Sequence, residues 1–572
     1  MRPFLVAACG VAISLLLGCT TESQPREVRP LARPNILLLV AEDMSPRLGV
    51  YGDAMAVTPN LDRLASEGLR FTHAFTTSGV CATSRAALMT GLPQNAVGAG
   101  HMRPMSHPTR PYVAVPPPEV KAFPELLRRA GYWTFNDGKT DFGFSDGTIG
   151  GGGPRTLWDS NERWGGADWR EAPAERPFFG MINFGITHES GLFPFGWPEN
   201  LIHAAMQAAW LLQSRSVDYA TDPASVSLPP FYPDIPEARQ AVAWQYDHIH
   251  EMDRQVGAVL DRLAADGLAD STIVVWTSDH GSGLPGHKRE ITDRGTHVPL
   301  LIRWPERWRP PGVEPGEVDT RLVSFLDLGP QILAWAGVPR PRWMEGRPFV
   351  GPQAGPQRRY IHAARDRLDE VTDRGRAVRD DRYLYVRNDF PALPGALPLT
   401  FRETIPLMRE WRRLHAEGAL SPPQAAFFEP RGAEELYDVV ADPHQIHNLA
   451  GDPTFAAELA RLRAEMDRWL SNHEDQGQVD ELELIERFWP GGEQPVTPPP
   501  LCVAQPGGLR LEPSVAGASV AWRSPSGALP DHWEIYTGPI DLPEGAEVEA
   551  LAHRYGWAES EVVSCRVGGR AG

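Results

Sequence analysis

Two nearly continuous apolar runs of strand length, residues 35–40 and 272–277, dominate the hydropathy pattern of the chain. Such runs are typical of central parallel strands that are buried on both faces. Polar residues follow each run directly: Glu42 and Asp43 after the first, Asp279 and His280 after the second. Ligands of open α/β sheets gather at the carboxyl ends of the strands. The pattern therefore predicts that the two polar ends meet at one edge of a sheet.

The segments around these runs predict an α/β domain over residues 33–348. We expect further strands at residues 132–135, 178–184 and 298–305, and helices at 123–131 and 241–266. The longer helix carries apolar residues at helical spacing, and the shorter one ends at a glycine cap.

The pattern changes from residue 349 onward. Short strands and a helix at 456–470 indicate a smaller subdomain over residues 349–475. A Pro-rich stretch predicts a linker over residues 476–500. Short alternating runs beyond it predict a small β-sandwich over residues 501–572.

Composition and charge narrow the class of protein. A length of 572 residues allows two or three domains with ample core. The net charge of −18 excludes a bulk electrostatic attraction to nucleic acid or to an anionic membrane. A local cationic pocket for an anionic substrate is still compatible with this charge.

The N-terminus predicts export. Arg2 precedes an apolar run over residues 4–17, and Cys19 follows it in the order Leu-Leu-Gly-Cys. This is typical of a bacterial lipoprotein signal over residues 1–19, with Cys19 lipidated. An ordinary secretory signal with an incidental cysteine is the alternative. With residues 20–32 as a tether, we expect a protein of the periplasm or one anchored to the outer membrane by its lipid alone.

The cysteines and the strand-end carboxylates suggest further chemistry. Of the five cysteines, Cys502 and Cys565 bracket the last segment and are disulfide candidates in an oxidising compartment. Adjacent carboxylates at a strand end are costly without a cation, and hard oxygen ligands suit Ca²⁺ or Mg²⁺. A solvated pair at the start of a loop is the alternative for Glu42 and Asp43.

The stretch from Ser78 to Gly91 places a cysteine where a helix is predicted to begin. Cys81 follows a loop of small residues, and Arg85 follows one turn later. Backbone N–H groups at a helix start and a nearby guanidinium favour an anionic substrate. A nucleophilic cysteine and a buried structural cysteine are both compatible with this pattern.

This stretch resembles the signature of type I sulfatases, Cys-x-Pro-Ser-Arg before a small apolar helix that ends in Thr-Gly. The resemblance runs from about residue 33 to 470 and implies an alkaline-phosphatase-like mixed sheet flanked by helices, with a smaller antiparallel-sheet subdomain. It also implies that a formylglycine-generating maturase converts Cys81 to formylglycine (3-oxoalanine), whose hydrate attacks sulfur. Thr83 departs from the family, which usually has Pro or Ala there.

The resemblance carries over to individual site residues. It implies a Ca²⁺ site, with Mg²⁺ as the alternative ion, formed by Glu42, Asp43, Asp279, His280 and the modified Cys81. Glu42 departs from the Asp of the family. The implied catalytic residues are Cys81, Arg85, Lys139, Asp141, His188 and Lys288. Asp141 belongs to a Gly-Lys-Thr-Asp variant that resembles a bacterial branch related to sulfamidases.

Four further residues are predicted substrate contacts: His101, His287, Arg365 and Arg367. Surface charge is the alternative for the arginines, which lie in a loop able to roof a pocket. The implied activity is hydrolysis of O- or N-sulfate on a carbohydrate, as in polysaccharide degradation. A phosphodiester or phosphonate hydrolase of the same superfamily and a non-catalytic exported sugar-binding protein are the alternatives.

Overall fold

The computed structural model describes residues 32–102, 107, 110–145, 154–162, 166–193, 208, 210, 212, 214–505, 508–527 and 529–567. The predicted signal, Cys19 and all but the last residue of the predicted tether lie outside these residues. Among the described helices, none combines the length and the apolar character that a membrane span requires.

A mixed eight-stranded sheet forms the centre of the molecule. Its strands are β1 (Asn35–Ala41), β2 (Leu69–Phe75), β3 (Trp133–Asp137), β4 (Ser160–Glu162), β5 (Phe178–Phe184), β6 (Thr272–Ser278), β7 (His297–Arg303) and β8 (Glu317–Ser324). They lie in the order β4-β3-β5-β1-β6-β7-β2-β8, and β7 runs antiparallel to both of its neighbours. This arrangement confirms the predicted mixed α/β class.

Helices cover both faces of this sheet. The α-helices whose bounds the structure describes are α1 (Pro59–Ser66), α2 (Cys81–Thr90), α3 (Phe123–Arg129), α4 (Pro236–Ala265), α5 (Asp293–Thr296), α6 (Leu328–Trp335), α7 (Pro406–Ala416), α8 (Pro422–Ala425), α9 (Ala456–Leu470) and α10 (Glu481–Phe488). Every residue of β1 and β6 is buried, as expected for strands packed on both faces.

The register of the central strands aligns their carboxyl ends. Ala41, the last residue of β1, is level with Phe184 at the end of β5 and with Ser278 at the end of β6. Residues that follow these three strands are therefore held side by side, which is the convergence that the sequence predicts.

A four-stranded antiparallel sheet follows, in the order β12-β11-β10-β9. Its strands are β9 (Ile361–Arg365), β10 (Gly375–Arg379), β11 (Tyr383–Asn388) and β12 (Glu434–Asp438). Helix α9 packs Leu462, Met466 and Trp469 against one face of this sheet.

The region predicted as a linker, residues 476–500, is partly helical and packs on the rest of the molecule. It contains α10, whose Leu484 and Ile485 are buried. Its Trp489 donates a hydrogen bond from Nε1 to the carbonyl of Gly556 at 3.0 Å. The apolar side chains between the prolines therefore anchor this region to the body of the molecule.

Two small antiparallel sheets make up the C-terminal module, which we define as residues 501–567. Its strands are β13 (Leu501–Gln505), β14 (Gly508–Glu512), β15 (Ala518–Arg523), β16 (Glu534–Ile535), β17 (Glu547–Arg554) and β18 (Val563–Arg566). Apolar side chains from both sheets share one core. Cys502 and Cys565 are joined by a disulfide, with Cα atoms 6.2 Å apart.

The C-terminal module docks on helix α3 through the buried carboxylate of Glu125. The hydroxyls of Tyr555 and Ser519 each donate to this carboxylate at 2.6 Å, and Arg129 pairs with it at 2.9 Å. The Tyr555 ring also stacks on Phe144, with ring centroids 5.1 Å apart. Phe144 lies a few residues after Lys139, so the module supports the loop that carries this lysine.

Candidate active site

Cys81 is the first residue of α2, and the whole helix is buried. Its small residues let the helix approach the sheet closely: Ser84 Oγ donates to the carbonyl of Asp279 at 2.6 Å. Gly79 is required before it, because a Cβ there would lie 2.2 Å from the carbonyl oxygen of Glu290. Thr83 donates a hydrogen bond to Ser78 Oγ at 2.7 Å, so this residue braces the loop that presents Cys81.

Asp43 lies at the centre of the site. Its backbone has a positive φ of 54°, which turns the chain sharply after β1. Its N–H donates to Asp279 Oδ1 at 3.1 Å, and its own carboxylate accepts from the N–H of Glu189 at 2.7 Å. Lys288 Nζ donates to both carboxylate oxygens, at 2.9 and 2.7 Å. Burial raises the pKa of Asp43, but Lys288 and nearby histidines lower it well below its ordinary value.

The Cys81 sulfur lies among these groups. Sγ is 3.3 Å from His280 Nε2 and 3.9 Å from Asp43 Oδ1. Burial raises the pKa of the thiol, but the charges of Lys139 and Lys288 outweigh it and lower the pKa to about 6. A nucleophile at this position would therefore be stabilised as an anion.

The donor set fits a divalent cation. Side-chain donor atoms of Asp43, Cys81, Asp279 and His280 all lie within 4.8 Å of one another, and Glu42, Asp43, Cys81 and His188 form a second such group. The carbonyl of Gly281, which only accepts, lies 2.9 Å from His280 Nδ1. Nδ1 must therefore carry a proton, which leaves Nε2 facing the carboxylates as a ligand atom. In the protein alone, burial lowers the pKa of His280, but Asp279 and Asp43 raise it to about 10.

Arg85 and Lys139 place two cations beside the sulfur. Arg85 is fully buried; its Nε bonds Asp279 Oδ2 at 3.0 Å and its Nη1 bonds Asn183 Oδ1 at 2.6 Å. Lys139 Nζ donates to Glu42 Oε2 at 3.0 Å. Burial opposes the charge of Lys139, but the surrounding anions raise its pKa above the ordinary value.

His188 presents a proton to the site. The N–H of Ser190 donates to His188 Nδ1 at 3.2 Å, which favours the neutral tautomer with its proton on Nε2. Because the Lys288 ammonium can only donate, this proton must point away from it. Nε2 lies 3.3 Å from Lys288 Nζ and 3.9 Å from Glu42 Oε2. The side chain is about one-fifth exposed, so this atom lies between solvent and the buried cluster.

The structure thus brings most of the predicted site residues together. Asp141 is half-buried on the loop of Lys139, two residues further along the chain. The assembled set consists of Glu42, Asp43, Cys81, Arg85, Lys139, His188, Asp279, His280 and Lys288. Several cations around one nucleophile and a cation site can bind a tetrahedral anion and stabilise charge that develops on it.

Each of the four predicted substrate contacts has a protein partner, and their contact with substrate stays a prediction. His287 Nδ1 lies 3.3 Å from the hydroxyl of Tyr232 in an aromatic cluster. Arg365 pairs with Asp373 at 2.9 Å, and Arg367 pairs with Glu481 at 2.6 Å. His101 Nδ1 accepts the N–H of Arg367 at 3.1 Å. All four side chains are buried, so they support the loops around the site.

Three residues of the site escaped the sequence analysis: Asn183, Glu189 and Arg289. Asn183, the partner of Arg85, is the polar residue near the end of the apolar strand β5. That position at a strand end is the sequence feature that could have indicated a role in the site. Glu189, next to His188, pairs with Lys288 at 3.0 Å and with Arg289 at 2.8 Å. These contacts orient Lys288, but spacing along the sequence does not reveal such pairs.

The chain resembles known proteins in sequence. The family described as Sulfatase matches residues 34–338. An ulvan-active sulfatase from Formosa agariphila is 38% identical, over 94% of this chain and 92% of its own length. Human N-sulphoglucosamine sulphohydrolase is 30% identical, over 81% of this chain and 93% of its own length.

Solved structures share the fold. One is a protein in complex with its substrate D-glucosamine-2-N,6-O-disulfate, at 16% identity and a TM-score of 0.52, covering 78% of this chain and 100% of that one. Another is a phosphonate monoester hydrolase from Silicibacter pomeroyi, at 17% identity and a TM-score of 0.51, covering 84% and 100%. At these identities the likeness shows the fold alone, and it confirms the predicted architecture of the central domain.

Proposed function

The chain belongs to the sulfatase family and is a sulfatase, and we propose that it removes sulfate from a carbohydrate with formylglycine at position 81 as the nucleophile. The observation that carries this proposal is the position of Cys81. It lies buried at the start of α2, within 3.3 Å of His280 and beside Lys139 and Lys288. The named relatives, an ulvan-active sulfatase and an N-sulphoglucosamine sulphohydrolase, support a sulfated carbohydrate as the substrate.

The cation would be held by Asp43, Asp279 and His280 together with residue 81, with Glu42 as a further candidate ligand. Oxygen-rich ligands favour Ca²⁺, with Mg²⁺ as the alternative. When bound, the ion supplies Lewis-acid polarisation of the sulfate oxygens.

Side chains of this chain bind the sulfate and protonate the leaving group. Arg85 fixes Asp279 and Asn183, and its charge stabilises an anionic nucleophile. Lys139 and Lys288 neutralise the sulfate oxygens. His188 donates the Nε2 proton to the bridging atom of the leaving group, because Ser190 holds its Nδ1 as an acceptor. We assign to Asp141, two residues after Lys139, a hydrogen bond to a hydroxyl of the hydrated aldehyde.

We also propose that the protein is exported and that Cys19 carries the lipid anchor. The apolar run before Leu-Leu-Gly-Cys supports this proposal. Metabolic labelling with a fatty acid, compared between wild type and Cys19→Ala, tests it. Loss of label in the variant is expected, whereas equal labelling would contradict the anchor.

The decisive test combines mass spectrometry of the Cys81 peptide with assays of sulfate release. Conversion of the thiol to the aldehyde lowers the peptide mass by about 18 Da. The protein is produced in a host that modifies a control sulfatase, and Cys81→Ala is the inactive control. We expect the aldehyde and release of sulfate from sulfated saccharides.

Other outcomes would contradict the proposal in different ways. An unmodified thiol would show that Thr83 blocks the maturase or that a different one is needed. An aldehyde with turnover only of phosphodiesters or phosphonates would indicate the related hydrolase. An aldehyde with sugar binding and no turnover of any ester would indicate a binding protein.

A further inference from the structure

The buried ammonium group of Lys288 contacts three carboxylate oxygens, which belong to two residues. Its Nζ donates to Asp43 Oδ1 at 2.9 Å and to Asp43 Oδ2 at 2.7 Å, and it lies 3.0 Å from Glu189 Oε1. These three oxygens match the three protons of an ammonium group. For Lys288 to donate to a sulfate oxygen, as the proposed function requires, it must therefore release one of them.

Oδ1 of Asp43 is the oxygen that Lys288 shares with the proposed cation site. It lies 3.0 Å from His280 Nε2 and 3.9 Å from the sulfur of Cys81, which are two of the proposed ligand atoms. Oδ2 instead accepts the N–H of Glu189 at 2.7 Å. An ammonium and a divalent cation repel each other and compete for the same lone pairs. A cation bound by Asp43 and His280 therefore requires Lys288 to give up Oδ1.

The carboxylate of Glu189 is fixed where it can retain the Lys288 ammonium. It is completely buried, and Arg289 contacts both of its oxygens, Oε2 through Nη1 at 2.8 Å and Oε1 through Nη2 at 3.0 Å. Arg289 in turn lies 3.4 Å from Asp369. A two-point contact of this kind fixes the orientation of a carboxylate. Because a buried ammonium without an anionic partner is costly, Glu189 determines where Lys288 stays after it leaves Oδ1.

We propose that Glu189 is a positioning residue that holds Lys288 when a cation takes Asp43 Oδ1, and that this exchange frees one N–H of Lys288 for the sulfate. The inference rests on the proposed function, since it assumes the cation and the sulfate substrate. Lys288 then couples the two ligands, because one of its protons serves either Asp43 or a sulfate oxygen. Arg289 acts through Glu189, whose carboxylate it keeps in place.

Calorimetric titration with Ca²⁺ tests this competition without an assay of turnover. The proteins are wild type, Glu189→Gln, Lys288→Met and the double variant, all produced in the same host and freed of cations by a chelator. Glu290→Gln is the matched control, because Glu290 is also buried and pairs with an arginine, 3.4 Å from Arg365 Nη1. Circular dichroism and thermal unfolding verify that each variant is folded.

We expect Lys288→Met to bind Ca²⁺ about 10-fold more tightly than wild type, because the competing ammonium is gone; one hydrogen bond between charged groups has this size. Glu189→Gln should bind Ca²⁺ more weakly, because Lys288 then has no second carboxylate. That loss should be about 10-fold smaller in the Lys288→Met background, since the through-space effect of the lost charge is common to both backgrounds and cancels. Glu290→Gln should weaken binding less than Glu189→Gln does.

Two results would overturn the inference and leave the proposed function intact. If Lys288→Met binds Ca²⁺ no more tightly than wild type, the ammonium does not compete for Asp43; this result needs no Glu189 variant, so it decides the question even if Glu189→Gln does not fold. If Glu189→Gln weakens binding equally in both backgrounds, Glu189 does not act through Lys288. If wild type binds neither Ca²⁺ nor Mg²⁺, the proposed cation site fails and the inference fails with it.

Discussion

The buried carboxylate of Glu125 should make a large, pH-dependent contribution to stability. Glu125→Gln keeps the shape of the side chain but removes its charge. The carboxylate is completely buried and accepts hydrogen bonds from Tyr555, Ser519 and Arg129. The substitution therefore tests how strongly the C-terminal module is attached to α3.

The magnitude follows from the pKa of Glu125. Burial raises this pKa, but Lys121, Arg129 and the two hydroxyls lower it further, from an ordinary value of 4.5 to about 2. Since a tenfold change in an equilibrium is about 1.4 kcal/mol, ionised Glu125 contributes about 3 kcal/mol to the free energy of unfolding. A lowered pKa in the folded state means that this contribution is complete above pH 4.5 and is lost as the pH falls toward 2.

Urea unfolding at neutral pH and at about pH 3 measures both parts of this prediction. We expect Glu125→Gln to lower the free energy of unfolding by about 3 kcal/mol at neutral pH, and by clearly less at the lower pH. Glu483→Gln is the matched control, because Glu483 also pairs with an arginine four residues later but is exposed. That control should change stability by at most about 0.5 kcal/mol.

Two results would refute this reasoning. If Glu125→Gln is no more destabilising than Glu483→Gln at neutral pH, the buried network contributes no more than a surface pair. If the loss of stability in Glu125→Gln is the same at both pH values, folding does not shift the pKa of Glu125, and its partners do not favour the ionised form.

Three further predictions concern the active site. In metal-free protein with unmodified Cys81, the ultraviolet absorbance of the thiolate, measured against Cys81→Ala, should appear with a midpoint at about pH 6. The reason is that nearby cations lower the pKa of the thiol more than burial raises it. A midpoint at the ordinary thiol pKa of 9.0 would contradict this prediction. Arg85→Lys should lower kcat/KM by about 100-fold, because one ammonium cannot replace the hydrogen bonds of Arg85 to both Asp279 and Asn183. Near-normal turnover would contradict the role of Arg85 in positioning these two residues. Removal of divalent cations by a chelator should abolish turnover, and Ca²⁺ should restore it with unchanged circular dichroism; turnover that persists without cations would exclude the proposed metal site.

Much of the centre of the molecule could be predicted because its strands are buried on both faces. The apolar runs at 35–40 and 272–277 correspond to β1 and β6, and the polar residues after them converge as expected. Strong local signals of this kind need no knowledge of tertiary contacts. The ordered motifs of the family then identified Lys139, His188 and Lys288.

Other features depend on contacts between residues far apart in the chain. Glu290, a second partner of Arg365, and Tyr232, the partner of His287, lie on other elements of the fold. The charge of Arg365 and the aromatic ring of His287 alone therefore suggested substrate contacts. Helix α10 was obscured by the prolines that follow it, although Leu484 and Ile485 supply a buried face.

The contact between Glu125 and Tyr555 also has a consequence for the order of events during synthesis. The two residues are 430 positions apart, and Ser519 is 394 positions from Glu125. A growing chain folds from its N-terminus. Glu125 therefore lacks these two hydroxyl donors until Ser519 and Tyr555 have been synthesised. A prematurely terminated chain would retain a buried charge missing two of its donors and an uncovered Phe144. A chain that ends before residue 519 would therefore lack both hydroxyl donors to the Glu125 carboxylate.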